Sequence, residues 1–262
     1  MILETKKLFF RKTFVFSSPD VFIDLCKSGR YSSVVALCYD KLPEDFVKMY
    51  SAKNLKIRKK KLTYIDIKLN EEEIFDKFND TTKKHIKRTF KNSDLIFKHT
   101  QNPTINSYKV YANFEYSQGR VPISFDEFKK YRLFSAEYRG QEISGISLIE
   151  DKPNIKTITI YSKRVVTEDK ETYKIIAQAT RRIVWEICLW AKKEGFRLFD
   201  LGSINLDDPV KAGVTEFKLS FGGEIIPEYT FIYKSAPFII FENFATVKIL
   251  IKKLVFKLYK LF

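Results

Sequence analysis

The stretch Gly195-Phe-Arg-Leu-Phe-Asp-Leu-Gly-Ser203, followed by Gly213-Val-Thr-Glu-Phe-Lys-Leu-Ser-Phe-Gly-Gly-Glu224, decides how the rest of the chain is interpreted. Gly195 is the residue type that ends helices, and the apolar run Phe196–Leu201 predicts a short buried strand. Asp200 is expected near the carboxyl end of that strand. Gly202 and Ser203 are expected to break it.

A helix is predicted after this strand. Asp207-Asp208-Pro209 offers residues typical of a helix start. Val214, Phe217 and Phe221 recur at the spacing of one helical face, and Gly222 is placed to end the helix. Lys218 lies beside this face and is expected to point back toward Asp200.

Together the two blocks resemble the C-terminal signature of Fem-type aminoacyl- and acyltransferases, a branch of the GNAT fold. The resemblance extends back to about Leu62. It includes the acidic segment Leu69–Glu72 and the basic segment Lys83–Arg88, which follow each other as in the family. It implies an α+β, GNAT-like fold with a mixed, largely antiparallel sheet flanked by helices.

The resemblance also implies roles for particular residues. Lys218 stands where the family has the lysine of its Phe-Lys pair and would supply positive charge to a developing oxyanion. Asp200 has its role from its expected position at the carboxyl end of a strand, where open sheets bind ligands, and could accept the proton of an amine or orient the acceptor. The remaining substrate-binding candidates are Tyr161, Phe217, Lys84 and Arg88. Two alternatives stay open, because Lys218 could be a solvated lysine and Asp200 a buried cap of the next turn.

The expected donor is an acyl-CoA or an aminoacyl-tRNA. Many acetyl-CoA enzymes of this fold hold pyrophosphate on a glycine-rich turn before a helix. The corresponding segment here, 162–170, contains no glycine, although Lys163 and Arg164 could contact phosphates as cofactor-binding residues. His85 and His99 are isolated from each other, so no metal site is expected.

The chain carries 47 Lys and Arg against 32 Asp and Glu, a net charge of +15. The excess is concentrated in residues 53–61, 83–91 and 234–262, which predicts a polyanionic partner such as a phosphate-rich ligand, an RNA or anionic lipid. A non-catalytic basic module that binds RNA or anionic membrane is therefore the alternative to an enzyme.

Three segments are predicted: an N-terminal α/β extension or remnant GNAT-like half over 1–61, an acyltransferase domain over 62–235, and a basic amphipathic helix over 236–262. As a helix, the terminal segment would have apolar residues on one face and lysines on the other, which is typical of a helix lying on an anionic membrane. A terminal helix packed on the domain or on a partner is the alternative. Within the central domain we expect one helix over 71–91 and another over 174–194.

The sequence thus predicts transfer of an acyl or aminoacyl group to an amine of a cell-envelope precursor, which could be an amino sugar, a lipid-linked saccharide or a peptidoglycan peptide. The expected partners are that precursor, an anionic membrane surface and, with an aminoacyl donor, tRNA. The three cysteines lie in apolar runs without paired spacing, which favours reduced core residues. The expected location is the cytoplasm, at the inner face of the membrane.

Overall fold

The computed structural model describes residues 2–7, 10–16, 18–50, 54–209 and 212–244. The chain divides into two compact units, one of residues 1–60 with 227–262 and one of residues 61–226. The 236–262 segment is described only over 236–244, which is helical, so the amphipathic arrangement predicted for its remainder lies outside the described residues.

The described strands are, in chain order, β1 (Ile2–Lys7), β2 (Phe10–Phe16), β3 (Ser33–Cys38), β4 (Leu55–Asp66), β5 (Leu95–Thr100), β6 (Arg132–Tyr138), β7 (Gln141–Asp151), β8 (Asn154–Ser162), β9 (Leu198–Ile204) and β10 (Glu224–Lys234). The helices with both ends described are α1 (Pro19–Lys27), α2 (Glu44–Tyr50), α3 (Glu71–Asp76), α4 (Asp80–Thr89), α5 (Ile105–Ser117), α6 (Phe125–Phe128), α7 (Lys170–Lys193) and α8 (Ala212–Leu219). A short 3₁₀ helix covers Lys163–Val166.

In the first unit the strand order is β1-β2-β3-β10. β2 and β3 run parallel because α1 carries the chain from one to the other, and the pairs β1–β2 and β3–β10 are antiparallel. The core of this unit is apolar and aromatic, with Phe22 of α1 packed against Phe46 of α2 and Phe231 of β10.

In the second unit the order is β4-β9-β8-β7-β6-β5. β8 and β9 are parallel and α7 connects them, while the other neighbouring pairs are antiparallel. The buried face of α7 includes Ile176, Ala179, Ile183 and Ile187, as its spacing predicts. A mixed, largely antiparallel sheet flanked by helices confirms the fold class expected from the sequence.

The predicted helix over 71–91 is two helices, α3 and α4. Asn79 separates them, because its side chain accepts a hydrogen bond from the Thr82 amide and so begins a new helix. Ile74, Phe78, Thr82 and Ile86 are buried at helical spacing across this break, whereas Phe90 is exposed. The single-helix prediction was wrong because the apolar spacing continues across the break.

Two details of the Gly195–Glu224 stretch also differ from expectation. β9 continues through Gly202 and Ser203, so Asp200 lies in the middle of the strand. Gly202 adopts φ +87°, a conformation that glycine accepts without steric strain. In α8, Val214 is exposed and Lys218 is buried, so the buried face is rotated from the predicted one.

The two glycines after α8 are explained by close backbone approach. A Cβ on Gly222 would lie 1.9 Å from the carbonyl oxygen of Lys77, and one on Gly223 would lie 2.4 Å from that of Tyr64. Any larger residue would separate this turn from the end of α3 and from β4. The Gly-Gly pair therefore fixes where α8 ends relative to the sheet.

Candidate active site

Lys218 is held against the backbone of β9. Its side chain is only 9% exposed, and its Nζ donates a hydrogen bond to the carbonyl oxygen of Ser203 at 2.8 Å. A Cβ on Gly202 would lie 3.1 Å from this Nζ, so the glycine leaves room for the ammonium group. The reading of Lys218 as a solvated lysine was wrong: its charge lies inside the protein.

Asp200 is fully buried and lies in an ion pair that the sequence reading missed. Lys156 Nζ donates to Asp200 Oδ2 at 2.5 Å, and the Gly202 amide donates to Oδ1 at 2.5 Å. Lys156 is itself 5% exposed. The available signal was a lysine inside the Ile155–Tyr161 run of apolar and β-branched residues, where a charge needs a partner.

Asp200 and Lys218 both contact Gly202, which brings the two predicted catalytic residues to one point on β9. Charge in such a buried place acts more strongly on a nearby oxyanion than it would in water. Because Asp200 accepts from an ammonium and an amide, it is better suited to holding this arrangement than to taking a proton.

Tyr161 occupies a different environment. Its ring is buried against Tyr111, Phe128 and Leu133, in a cluster separate from the one that Phe217 packs on. Its hydroxyl donates to Glu142 Oε1 at 2.8 Å. Burial, followed by the Glu142 charge, raises the pKa of Tyr161 well above its ordinary value.

Burial of Glu142 in this cluster makes the stability of the folded protein depend on pH. Burial raises the pKa of the Glu142 carboxyl above its ordinary 4.5, and hydrogen bonds from Ser107 and Tyr161 offset only part of that effect. The folded state then keeps a proton that the unfolded state has lost, so stability falls as pH rises from 4.5 through the folded pKa. We expect Glu142→Gln to gain stability relative to the wild type between pH 4 and pH 7, measured by urea unfolding. A difference that stays constant over this range contradicts the assignment.

Phe217 is half-buried and faces an arginine that the sequence reading also missed. The Arg181 guanidinium of α7 lies 5.5 Å from the Phe217 ring centroid, and its Nε donates to Thr82 Oγ1 at 3.3 Å. Thr82 in turn donates to Ser220 Oγ at 2.9 Å. Arg181 therefore connects α4 to the Phe-Lys pair. The pair Arg181-Arg182 within an amphipathic helix was the available signal.

Lys84 and Arg88 are exposed on α4. They lie along a groove of about 360 Å³ whose lining residues are Asp80, Lys83, Lys84, Lys87, Arg88 and Lys91. Five of these six are cationic, as expected from the concentration of positive charge in residues 83–91. Lys163 and Arg164 lie in the 3₁₀ helix after β8, where Lys163 contacts Gln141 and Arg164 lies 4.0 Å over the Tyr173 ring.

The start of α7 does not fit a CoA pyrophosphate. The Asp169 carboxylate already accepts hydrogen bonds from the amides of Thr172 at 2.7 Å and Glu171 at 3.4 Å. A hydrogen bond from the Thr172 side chain, and then those from the Thr172 and Glu171 amides, lower the pKa of Asp169. A phosphate would have to displace this negative charge from the amides that would otherwise bind it.

Two absences complete the description of the site. Within the described ranges, no group of three or more His, Cys, Asp or Glu side chains is arranged to hold a metal ion. In the part of the chain that the structure describes, no helix is both long enough and apolar enough to cross a bilayer.

The cysteines Cys26, Cys38 and Cys188 are buried and free, as predicted.

Comparison with solved structures shows what fold these elements make. FemX matches with a TM-score of 0.59 and 10% identity, over 87% of this chain and 83% of that one. The C-terminal domain of a protein designated lysylphosphatidylglycerol synthetase from Agrobacterium fabrum matches with a TM-score of 0.50 and 13% identity, over 94% and 84%. L-PGS from Bacillus licheniformis gives 0.50 and 13%, over 90% and 82%. No protein-family model and no curated protein matches the chain.

The chain has a GNAT-type acyltransferase fold of the Fem-like form. The resemblance found in the sequence is thereby confirmed at the level of the fold. Within this fold the predicted residues lie apart. Lys218 and Asp200 lie at Gly202, and Phe217 faces Arg181. Lys84 and Arg88 line the groove of α4, Lys163 and Arg164 lie in the 3₁₀ helix, and Tyr161 lies in its own aromatic cluster.

Proposed function

We propose that this protein transfers an acyl or aminoacyl group from an ester or thioester donor to the amine of a cell-envelope precursor. The observation that carries the proposal is the buried Lys218 ammonium at Gly202, in a chain with the fold of FemX. One similar structure is designated a lysylphosphatidylglycerol synthetase, a name that joins a lysyl group to a phospholipid, and this supports an envelope acceptor.

The proposed reaction needs no covalent bond between the substrates and the protein. A neutral amine attacks the donor carbonyl carbon, forming a C–N bond while the carbonyl oxygen becomes negative. The Lys218 ammonium stabilises that oxygen, the C–O or C–S bond breaks, and the proton lost by the amine ends on the leaving group through solvent. The Lys156–Asp200 ion pair holds the β9 backbone that places Gly202 and Ser203 against Lys218.

An aminoacyl ester on tRNA is the preferred donor. The Asp169 carboxylate occupies the amides that would hold the pyrophosphate of CoA, and it repels a phosphate placed there. The basic groove of α4 suits the backbone of an RNA. The two donor hypotheses therefore predict opposite results: transfer from aminoacyl-tRNA and not from acetyl-CoA, or the reverse.

The test uses purified full-length protein with an aminoacyl-tRNA pool or with acetyl-CoA, and an amino sugar or a peptide carrying a free amine. We expect transfer of labelled amino acid from tRNA to the acceptor and none of the acetyl group. Transfer from acetyl-CoA overturns the donor assignment. Absence of transfer from both donors, to the amino sugar and to the peptide, overturns the proposed activity.

The second candidate is the non-catalytic basic module, and the cationic groove of α4 favours it. It predicts binding of RNA or anionic vesicles that weakens steeply with salt, since displaced counterions drive such association. Binding of this kind without turnover supports the module.

We also propose that the protein acts in the cytoplasm at the inner membrane face, with the lysine-rich segment 236–262 as the lipid contact.

A further inference from the structure

A cavity of about 390 Å³ lies between the C-terminal half of α7 and the strands β5 and β6, within the second unit. Its floor includes Phe97 and His99 of β5 and Phe134 of β6, and its wall includes Trp190 of α7. Among the described residues that line this cavity, none belongs to the predicted transfer site. The cavity is therefore a second place in this unit where a ligand can bind.

Four rings form an aromatic surface inside the cavity. The His99 ring stacks on Phe134 with 5.0 Å between the centroids and 17° between the planes. Trp190 lies edge-to-face against Phe134 at 5.3 Å and 6.4 Å from His99. Phe134 is buried, whereas His99 is exposed and Phe97 and Trp190 are half-buried. A ligand with an apolar face can therefore pack on the rings that Phe134 supports.

Two ion pairs border this aromatic surface. The Arg132 side chain is 11% exposed, lies 4.5 Å over the Trp190 ring and donates from Nε to Glu150 Oε1 at 2.6 Å. Glu186 accepts from Arg182 one turn earlier in α7. A guanidinium has five N–H donors and a carboxylate about four acceptor positions, so Arg132 can also donate to a ligand and Glu186 can also accept from one.

The charges at the rim are balanced in the same way. Lys98 pairs with Glu137 at 2.6 Å, and Lys193 and Glu194, one of each sign, are adjacent and exposed at the end of α7. Counted with their partners, the charged side chains of the cavity sum to zero. This balance gives an ion no net attraction. It favours an uncharged ligand that has both hydrogen-bonding groups and an apolar face.

We propose that this cavity binds one ring of a neutral saccharide. A pyranose ring has C–H groups on one face, which pack on aromatic side chains, and hydroxyl groups around its edge, which both donate and accept. Arg132 would donate to these hydroxyls and Glu186 would accept from them. The cavity is at the lower end of the range for small-molecule sites, about 300–1,000 Å³, which suits a single ring.

The place of the cavity along α7 makes it a subsite for a longer molecule. About 13 Å of helix separates Trp190 from Arg181, which contacts Phe217. A ring held at Trp190 is therefore not the one whose amine reacts, and it would anchor another part of the acceptor. Anchoring of this kind lowers the entropic cost of placing the amine. The site assignment is independent of the proposed function, but the assignment of the saccharide to the acceptor rests on it.

The chain has two tryptophans and two histidines, one of each in the cavity, so NMR offers a test with internal controls. Titration of the full-length protein with N-acetylglucosamine or methyl glucoside should shift the Trp190 indole and His99 imidazole signals saturably. The signals of Trp185, which packs on Phe75, and of His85 on α4 should not move. Shifts of all four groups, or of neither Trp190 nor His99, overturn the proposed site.

His99→Ala should weaken saccharide binding about 3- to 10-fold, the usual effect of losing one ring contact. Tyr116→Ala is the matched control, because Tyr116 is also an exposed ring of this unit but lies on α5, outside the cavity. Circular dichroism and thermal melting establish that both variants are folded. Equal affinities of the two variants contradict the proposal.

Other probes identify the class of ligand. Benzoate and benzylamine carry a ring with one charge of either sign, and a cavity without net charge predicts that neither competes with the saccharide. The affinity for N-acetylglucosamine should also be the same at low and high concentrations of sodium chloride, because no net charge is neutralised. Binding of either ion, or of adenine, without binding of a saccharide overturns the proposed ligand class.

The link to the transfer reaction has its own test. With a chitosan oligomer, a saccharide chain that carries amines, His99→Ala should raise KM and leave kcat unchanged, because the anchored ring does not react. KM for a peptide acceptor should not change. An unchanged KM for the oligomer overturns the assignment to the acceptor. The NMR titrations need no turnover, so the site can stand if the proposed activity fails and can fail while the activity stands.

Discussion

Lys218→Met should lower the rate of transfer about 10²- to 10³-fold, the usual cost of removing one donor to an oxyanion. The reason is that the buried Lys218 ammonium lies beside Gly202, where its hydrogen bond to the Ser203 carbonyl oxygen fixes its position. Methionine keeps a similar unbranched shape but no charge. Since the effect belongs to the transition state, kcat should fall while KM for the acceptor changes little. Steady-state kinetics with the aminoacyl donor measure both.

Lys192→Met is the matched control for folding. Lys192 Nζ also donates to a backbone carbonyl, that of Leu69, at 2.6 Å, and it is half-buried at the end of α7. Both variants remove an ammonium from a carbonyl, so both pay a similar penalty of about 1–3 kcal/mol for an acceptor left without its donor. Only Lys218→Met should lose activity. A folded Lys218→Met protein that transfers at the wild-type rate removes Lys218 from the mechanism.

The sequence was sufficient for features that depend on local spacing. The strand and the helix around Asp200 and Lys218, and the long helix α7, follow from periodicity, although the end of that strand and the buried face of α8 do not. Each of these features is decided by a few neighbouring residues.

The features that could not be predicted depend on contacts between distant segments. The sequence does not distinguish Asn79 from other polar residues of the segment. Only the structure shows that its side chain accepts from the Thr82 amide and caps α4. Lys156 and Asp200 become partners only because β8 and β9 are parallel neighbours in register. Arg181 reaches Phe217 and Thr82 only after α4 packs on α7. Periodicity identifies which face of a helix is buried, but it does not identify what the opposite element brings to that face.

Asp200→Asn should lower the free energy of unfolding by about 3–5 kcal/mol, because it leaves the buried Lys156 ammonium without its carboxylate. Lys156→Met should also cost stability, because it removes the ammonium that pairs with the buried Asp200 carboxylate and leaves that carboxylate with the Gly202 amide. The double variant should cost clearly less than the sum of the two, since it removes both charges together. Urea unfolding of the four proteins gives the coupling energy.

An exposed ion pair provides the comparison for this cycle. Glu137 pairs with Lys98 on the surface, and Glu137→Gln should cost no more than about 1 kcal/mol because water screens such pairs. If Asp200→Asn instead unfolds like the wild type and loses transfer activity, its carboxylate acts on the amine proton and the ion pair is not its main role. If it loses stability and the double variant regains both stability and activity, Asp200 holds β9 in place and the charge that catalysis requires comes from Lys218.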